Sequence, residues 1–424
     1  MPLPKGPVPI YRIDVALSPE HRYDEVARDF APQMRDVTKI FDDLLASIFK
    51  YPLLCRAVKF LARSLLRRLN DDEQNREAQS IAKVAGVDLY LIVALNVLLD
   101  SLMGCTAGCI LTEPHRPKAS ERNRRLMHFR TLDWAMDPLR ELLIIAEFVD
   151  SREDPNRVIA RSVTYAGFVG TLTAVRPGLS LSLNYRPTHE GSKLALRKHQ
   201  ILVLFGLRPS ISSILRSVIL NQRRWPLSET SLSDNAPTPL VSLVNQLAKE
   251  ATSPCYLTLC DGKESAVIEK DVHTGKIKTS NQFIVQANHD THGSRCCGPK
   301  PSPDSDPSEP QTTLLGAELF LEDSNERMDM MQQQWLLHTV GSRNDSHSET
   351  EKDEPNGQCL GEGTEHREVR PTKGVREKAL QAWMMEFPII NECTHYACIM
   401  DPQTGGIRWI ERGTIEFDPE NPRF

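Results

Sequence analysis

Apolar residues recur at helical spacing through roughly the first hundred positions of this chain, then give way from Cys105 onward to short runs rich in Val, Ile, Thr and Tyr. The earlier spacing predicts helices over Tyr23 to Met34, Arg35 to Ile48, Leu53 to Leu69 and Val87 to Leu102. After the switch, Cys109 to Thr112 and Leu126 to Leu132 read as strands, and the polar stretch between them, with Pro114 and Pro117, reads as a hairpin connection. Further strand-like runs stand at Tyr256 to Cys260, Ala266 to Glu269, Gln282 to Ala287, Thr394 to Met400 and Gly406 to Ile410. Helical spacing returns at Ser210 to Leu220, Pro239 to Ala251 and Val375 to Met385. Strands, helices and strands again predict an α+β chain with two sheets and helices on their outer faces.

Two segments break the pattern. Residues 292–313 and 341–372 are crowded with Ser, Pro, Asp, Glu and Gly, and their few apolar side chains predict disordered surface loops. The run from Val87 to Met103 is interrupted by Asn96 and Asp100 and is short for a bilayer span, so it reads as a buried helix. Leu53 to Leu69 sets Arg56, Lys59, Arg63 and Arg67 against Leu54, Val58, Leu61 and Leu65. That is the pattern of a basic interfacial helix for peripheral membrane contact, and equally of a helix with one buried stripe and a solvated face.

Composition adds little beyond exclusion. With 40% hydrophobic and 25% charged residues in 424, the chain can bury a large core. A net charge of −5 gives no global attraction for nucleic acid. Met1 to Tyr11 holds four prolines and no apolar h-region, which predicts an intracellular protein, cytoplasmic or peripheral to internal membranes. Ten cysteines include no CxxC pair matched by a second one, so they read as small core or loop residues rather than a metal site.

The candidate chemistry lies at the switch itself. Gly104-Cys105-Thr106-Ala107 places a thiol after a glycine, and His128-Phe129-Arg130-Thr131-Leu132-Asp133-Trp134 follows on the next strand. A cysteine that becomes a new N-terminus carries its own base, because an α-amine titrates well below a lysine. Arg130 would then lower the thiol pKa and Asp133 would hold the α-amine.

In order along the chain, Gly104-Cys105-Thr106, Phe129 to Trp134, Val163 to Gly170, Ser180 to Arg186 and Gln286-Ala287-Asn288-His289-Asp290 resemble the acid ceramidase and N-acylethanolamine-hydrolysing acid amidase family of N-terminal-nucleophile hydrolases. Val8 to Asp14 with Arg22-Tyr23 resembles the start of that family's small subunit. The resemblance implies a four-layer αββα sandwich over 105–424, preceded by a small helical α-subunit segment over 1–104. It implies self-cleavage between Gly104 and Cys105, with Cys105 as nucleophile, Arg130 and Asp133 orienting it, Asn288 stabilising the oxyanion and Arg327 as a later active-site arginine. The implied activity is hydrolysis of a fatty-acylated amine, ceramide or an N-acylethanolamine, with no metal or organic cofactor. Tyr185 departs from the acidic residue that relatives commonly carry there.

Blander readings stand beside these. Cys105 and Cys109 are each equally readable as inert core thiols, and Arg130 with Asp133 as a structural ion pair. Asn288 reads as a turn cap and Arg327 as a solvated helix residue. A conventional cysteine protease or thioesterase would pair Cys105 or Cys109 with His128, His289 or His395, and a non-catalytic lipid-binding homologue would keep the fold alone.

Overall fold

The computed structural model describes residues 6–38, 52–98, 104–113, 124–134, 136–188, 190–221, 239–291, 317–344 and 373–414. The polar segment 292–313 lies outside the described residues, and so does 341–372 apart from the helix end at 341–344.

The N-terminal part contributes β1 (Ile10–Asp14), α1 (Asp24–Asp29), a helical stretch over 31–38, α2 (Pro52–Leu65), α3 (Asp72–Ala85) and α4 (Leu89–Leu98). It is thus mainly helical, as expected, yet it also supplies a strand. Apolar spacing does not reveal α3, because its buried stripe is built from Gln74, Glu77, Ala78, Ile81, Ala82 and Ala85, only one of them a large apolar residue. Local chemistry bounds it well: Asp71 accepts from the Gln74 N–H at the N-cap, and Gly86 ends the helix at φ 68°, the left-handed region where glycine carries no Cβ penalty. In α4 the interrupting Asn96 is buried, donating to the Ile92 and Gly167 carbonyls and accepting from the Val169 N–H. That explains a polar residue in an apolar run, and no described helix is long and apolar enough to cross a membrane.

The remaining strands are β2 (Gly104–Thr112), β3 (Arg125–Asp133), β4 (Leu143–Asp150), β5 (Asp154–Tyr165), β6 (Thr173–Arg176), β7 (Leu179–Tyr185), β8 (Cys255–Cys260), β9 (Ser265–Lys270), β10 (Gly275–Ser280), β11 (Phe283–Gln286), β12 (Thr394–Asp401) and β13 (Gly406–Arg412). Between them lie α5 (Lys193–Leu204), α6 (Ile211–Ile219), α7 (Pro239–Lys249), α8 (Ala317–Asn344) and α9 (Glu377–Met384). Among the described residues there is an eight-stranded sheet in the order β1-β4-β5-β6-β7-β8-β9-β10 and a five-stranded sheet in the order β11-β2-β3-β12-β13. The first strand runs parallel to β4, and the other pairings are antiparallel.

The two sheets face each other: β2 and β3 lie over β7 and β8, and β12 and β13 over β6. Helices α6 and α7 cover the outer face of the large sheet, α8 rests on β2 and β11, and α9 joins it in a second core with Ile110, Phe129 and Ile399. This is the αββα order. The main core lies between the sheets and continues under the N-terminal helices. There Glu77 is fully buried between Arg22, at 3.0 Å, and Arg216 of α6, whose Nη2 donates at 2.7 Å.

Candidate active site

Strand periodicity sorts the candidate residues onto two faces. On β2, Cys105, Ala107 and Cys109 point between the sheets, while Thr106, Gly108 and Ile110 point toward α8 and α9. On β3, His128 and Arg130 meet side chains of β7, and Phe129 lies in the core beneath α8 and α9. Arg130 and Asp133, three apart, therefore emerge on opposite faces of one strand and cannot both touch the same atom. Gly104 pairs directly with Asp133, and a Cβ on that glycine would stand 3.3 Å from the Asp133 Cβ. The junction ahead of Gly104, residues 99–103, lies outside the described residues.

The Cys105 sulfur belongs to Arg130. The guanidinium Nη2 donates to Sγ at 3.2 Å, and Nη1 donates to Asn184 Oδ1 at 3.0 Å. Asn184 in turn donates to the Gln286 carbonyl at 2.9 Å, with Ala287 and Cys105 carbonyls at 3.3 and 3.4 Å. Burial pushes the thiol pKa up, the Arg130 charge pulls it down, and Asp133 pushes it up again, for a net rise. The net rise favours the protonated thiol.

The Cys105 nitrogen belongs to Asn288. Its N–H faces the side on which β11 has stopped, at the Gln286–Ala107 pair, and donates to Asn288 Oδ1 at 2.8 Å. Arg327 Nη2 donates to the same oxygen at 3.1 Å, and Asn288 Nδ2 donates to the Tyr185 carbonyl at 2.8 Å. Two donors on one end and a carbonyl on the other assign the amide orientation. Asn288 thus presents an acceptor to Cys105, where the expected oxyanion role calls for a donor.

Asp133 sits behind this pair. It accepts from Thr394 Oγ1 at 2.7 Å and lies 3.5 Å from Arg327 Nη1. Arg327 also donates to Thr106 Oγ1 at 2.7 Å and to Asp323 at 2.9 Å. Its side chain is fully buried, so the solvated-helix reading fails. Burial raises Asp133 to about 6, with the Arg327 charge opposing the rise. The structure therefore brings Cys105, Arg130, Asp133, Asn288 and Arg327 together, in two subsets joined through Asn288 and Asn184.

Among the described residues, the three candidate histidines have hydrogen-bond partners other than a thiol. His128 contacts Ser180 and Ser182 through its two ring nitrogens, each at 2.9 Å. His395 bridges Tyr165 Oη and the Trp134 carbonyl, and His289 meets Ser324. Burial takes His128 and His395 to about 3, so both are neutral. Among the described residues no group of His, Cys, Asp and Glu is placed to hold a metal ion.

Asn184, Thr394 and Thr106 were not singled out in the sequence. Asn184 had a readable signal: Ser180, Ser182 and Asn184 alternate with Leu179, Leu181 and Leu183, a pattern that reads as a half-solvated strand. All three polar side chains are instead buried. They are the lining that His128 and Arg130 require. Thr394 and Thr106 carry no signal, because a lone threonine in a strand is commonplace.

Comparison with known proteins adds kinship to this geometry. Residues 6–69 match the model of the beta subunit of N-acylethanolamine-hydrolyzing acid amidase. That name labels the N-terminal segment beta where the resemblance above labels it α. Acid ceramidase of Mus musculus is 25% identical over 307 residues, covering 68% of this chain and 72% of its own length. Acid ceramidase of Rattus norvegicus is 25% identical over 309 residues, with the same coverage. Among solved structures, the Caenorhabditis elegans ortholog of N-acylethanolamine-hydrolyzing acid amidase aligns over 70% of this chain and 93% of its own, at 16% identity and a TM-score of 0.43.

Proposed function

We propose that this relative of the acid ceramidases and N-acylethanolamine-hydrolysing amidases cuts its own chain between Gly104 and Cys105 and then hydrolyses fatty-acyl amides through a Cys105 thioester. The supporting observation is that the two reactive atoms of Cys105 have separate partners, Arg130 on sulfur and Asn288 on nitrogen. In the intact chain, Sγ adds to the Gly104 carbonyl and the thiol proton passes to the Cys105 nitrogen as the C–N bond breaks. Water then cleaves the Gly104 thioester, releasing a Gly104 carboxylate and regenerating the thiol.

The freed α-amine has an ordinary pKa near about 8. It takes the thiol proton, and the Arg130 charge favours the resulting thiolate. Sulfur attacks the acyl carbonyl, the proton goes from the α-amine to the departing amine, and water hydrolyses the thioester to a fatty acid. Asn288 Oδ1 holds the α-amine by accepting its N–H. The Asn288 Nδ2 already serves the Tyr185 carbonyl, so backbone N–H groups beside the sulfur are the better donors for the oxyanion. Ceramide or an N-acylethanolamine is the substrate class, taken from the named relatives.

A lipid surface is the proposed place of work. Phe60 and Leu61 on α2 and Leu194, Ile201, Phe205 and Leu207 on and beside α5 are exposed, and the segments that follow the two helices meet where Asn70 donates to the Gly206 carbonyl. The Arg56 side chain lies outside the described residues.

Intact mass and N-terminal sequencing of the purified protein should find a fragment beginning at Cys105, and that material should release fatty acid from vesicle-borne ceramide or N-acylethanolamine. Replacing Phe60 and Leu61 with Ser should reduce vesicle hydrolysis and spare a soluble short-chain amide. A chain that stays whole, or a cut protein with no acyl-amide hydrolysis, overturns the assignment.

A further inference from the structure

Asn288 stands at the meeting of two chain segments, and both are fastened by side chains that the reaction itself does not use. Asp290 accepts from Arg186 through both oxygens, Nε to Oδ1 and Nη2 to Oδ2, each at 2.7 Å. Tyr256 Oη donates to Asp290 Oδ1 at 2.7 Å, and Thr188 Oγ1 to Oδ2 at 3.4 Å. The remaining arm of Arg186 donates to the Lys270 carbonyl at 3.2 Å. One residue further, the Thr291 N–H and hydroxyl donate to Glu269 at 3.2 and 2.9 Å.

Arg186 directly follows Tyr185, whose carbonyl takes the Asn288 amide, and Asp290 follows Asn288 by two residues. The fork therefore ties together the two segments that fix both ends of the Asn288 side chain. A bidentate guanidinium–carboxylate pair admits essentially one relative geometry. Arg186 and Tyr256 are buried. Burial raises the Asp290 carboxyl, but the hydrogen bonds from Arg186 and Tyr256 outweigh it and bring the pKa below the usual value, so the ionised pair persists at neutral pH.

We propose that Asp290, held by Arg186 and Tyr256, is a positioning residue that sets Asn288 Oδ1 against the Cys105 nitrogen. The role rests on the reading of Cys105 as an N-terminal nucleophile, and it applies to the amide before the cut and to the amine after it.

The test uses the full chain with Asp290→Asn and Tyr256→Phe, measuring the extent of cutting, kcat per site titrated with an acylating thiol probe, KM, melting temperature and the pH–rate profile. Asp290→Asn should lower kcat per titrated site by about tenfold to a hundredfold with KM within about twofold, since loosened alignment costs rate rather than affinity. Tyr256→Phe should lower it by about threefold. An accepting carbonyl stabilises the protonated amine, so the acid limb of kcat/KM should move to lower pH when Asn288 loosens.

A merely structural pair would lower melting temperature and the number of titratable sites while per-site kcat and the acid limb stay put; that result overturns the proposal. If Asp290→Asn yields no soluble protein, the same two measurements on Tyr256→Phe decide. An unmodified protein that neither cuts nor hydrolyses removes the functional reading and this role together, whereas an active parent matched by both variants removes this role alone.

Discussion

Cys105 and Cys109 are two buried thiols on the same face of the same strand, four residues apart, and burial drives the pKa of each upward. Their surroundings differ in kind. Cys105 has a guanidinium on its sulfur and a carboxamide oxygen on its nitrogen. Cys109 has a second thiol, Cys260, and the side chain of Leu126. Its place in the strand lies within the paired ladder, between Ile284 of β11 and His128 of β3. The difference teaches that desolvation alone raises both thiols alike, and that what sets the proposed nucleophile apart is a cation on its sulfur and a backbone nitrogen released on the side where β11 stops.

The comparison breaks most simply by exchange of the two residues for alanine. Cys105→Ala should abolish cutting and lower amide hydrolysis by at least about a thousandfold, read by mass and by fatty-acid release. Cys109→Ala should cut normally and retain activity within about threefold, at a stability cost of about 1–3 kcal/mol in denaturant unfolding. Cutting by Cys105→Ala and not by Cys109→Ala would invert the assignment.

A smaller effect isolates the cation. Arg130→Met should lower turnover by about a hundredfold and move the alkylation of Cys105 by iodoacetamide to higher pH, because the thiolate loses its counter-charge. Alkylation that keeps its pH dependence would assign Arg130 to Asn184 and the sheet contact rather than to sulfur.

The smallest effect tests the acid behind the pair. Asp133 is raised from 3.8 to about 6, so the folded state holds a proton more tightly than the unfolded chain. Stability from this group is present below about 4 and is lost as pH rises through about 6. Asp133→Asn should flatten that part of the melting curve against pH, an effect on the order of 2–3 kcal/mol by linkage. A slope unchanged by the substitution would mean another group titrates there.

Much of this was legible in the chain. The change from helical spacing to strands at Cys105, the strands around Arg130 and Asn288, and the helices near Ser210, Pro239 and Val375 all follow from periodicity and stand within a few residues of their structural bounds. Helix α8 did not, because its apolar positions follow no single face and it begins directly after a polar segment. Strand β4 shows no alternation to read, because both of its faces are covered. At the site, the residues were readable and their division was not. Period two puts Arg130 and Asp133 on opposite faces, but only the packed α8 shows that Arg327 connects Asp133 to Asn288.

The edge strand β1 and the buried Glu77 between Arg22 and Arg216 have a practical consequence for anyone producing this protein. A gene opened at Cys105 would supply the proposed reactive terminus without the proposed cut, but its product would lack the β1 edge strand and leave Arg216 without its carboxylate, in a core open to solvent. Such a product should be recovered in soluble form only when residues 1–104 are made alongside it, so the segment acts as the template on which the larger fragment folds.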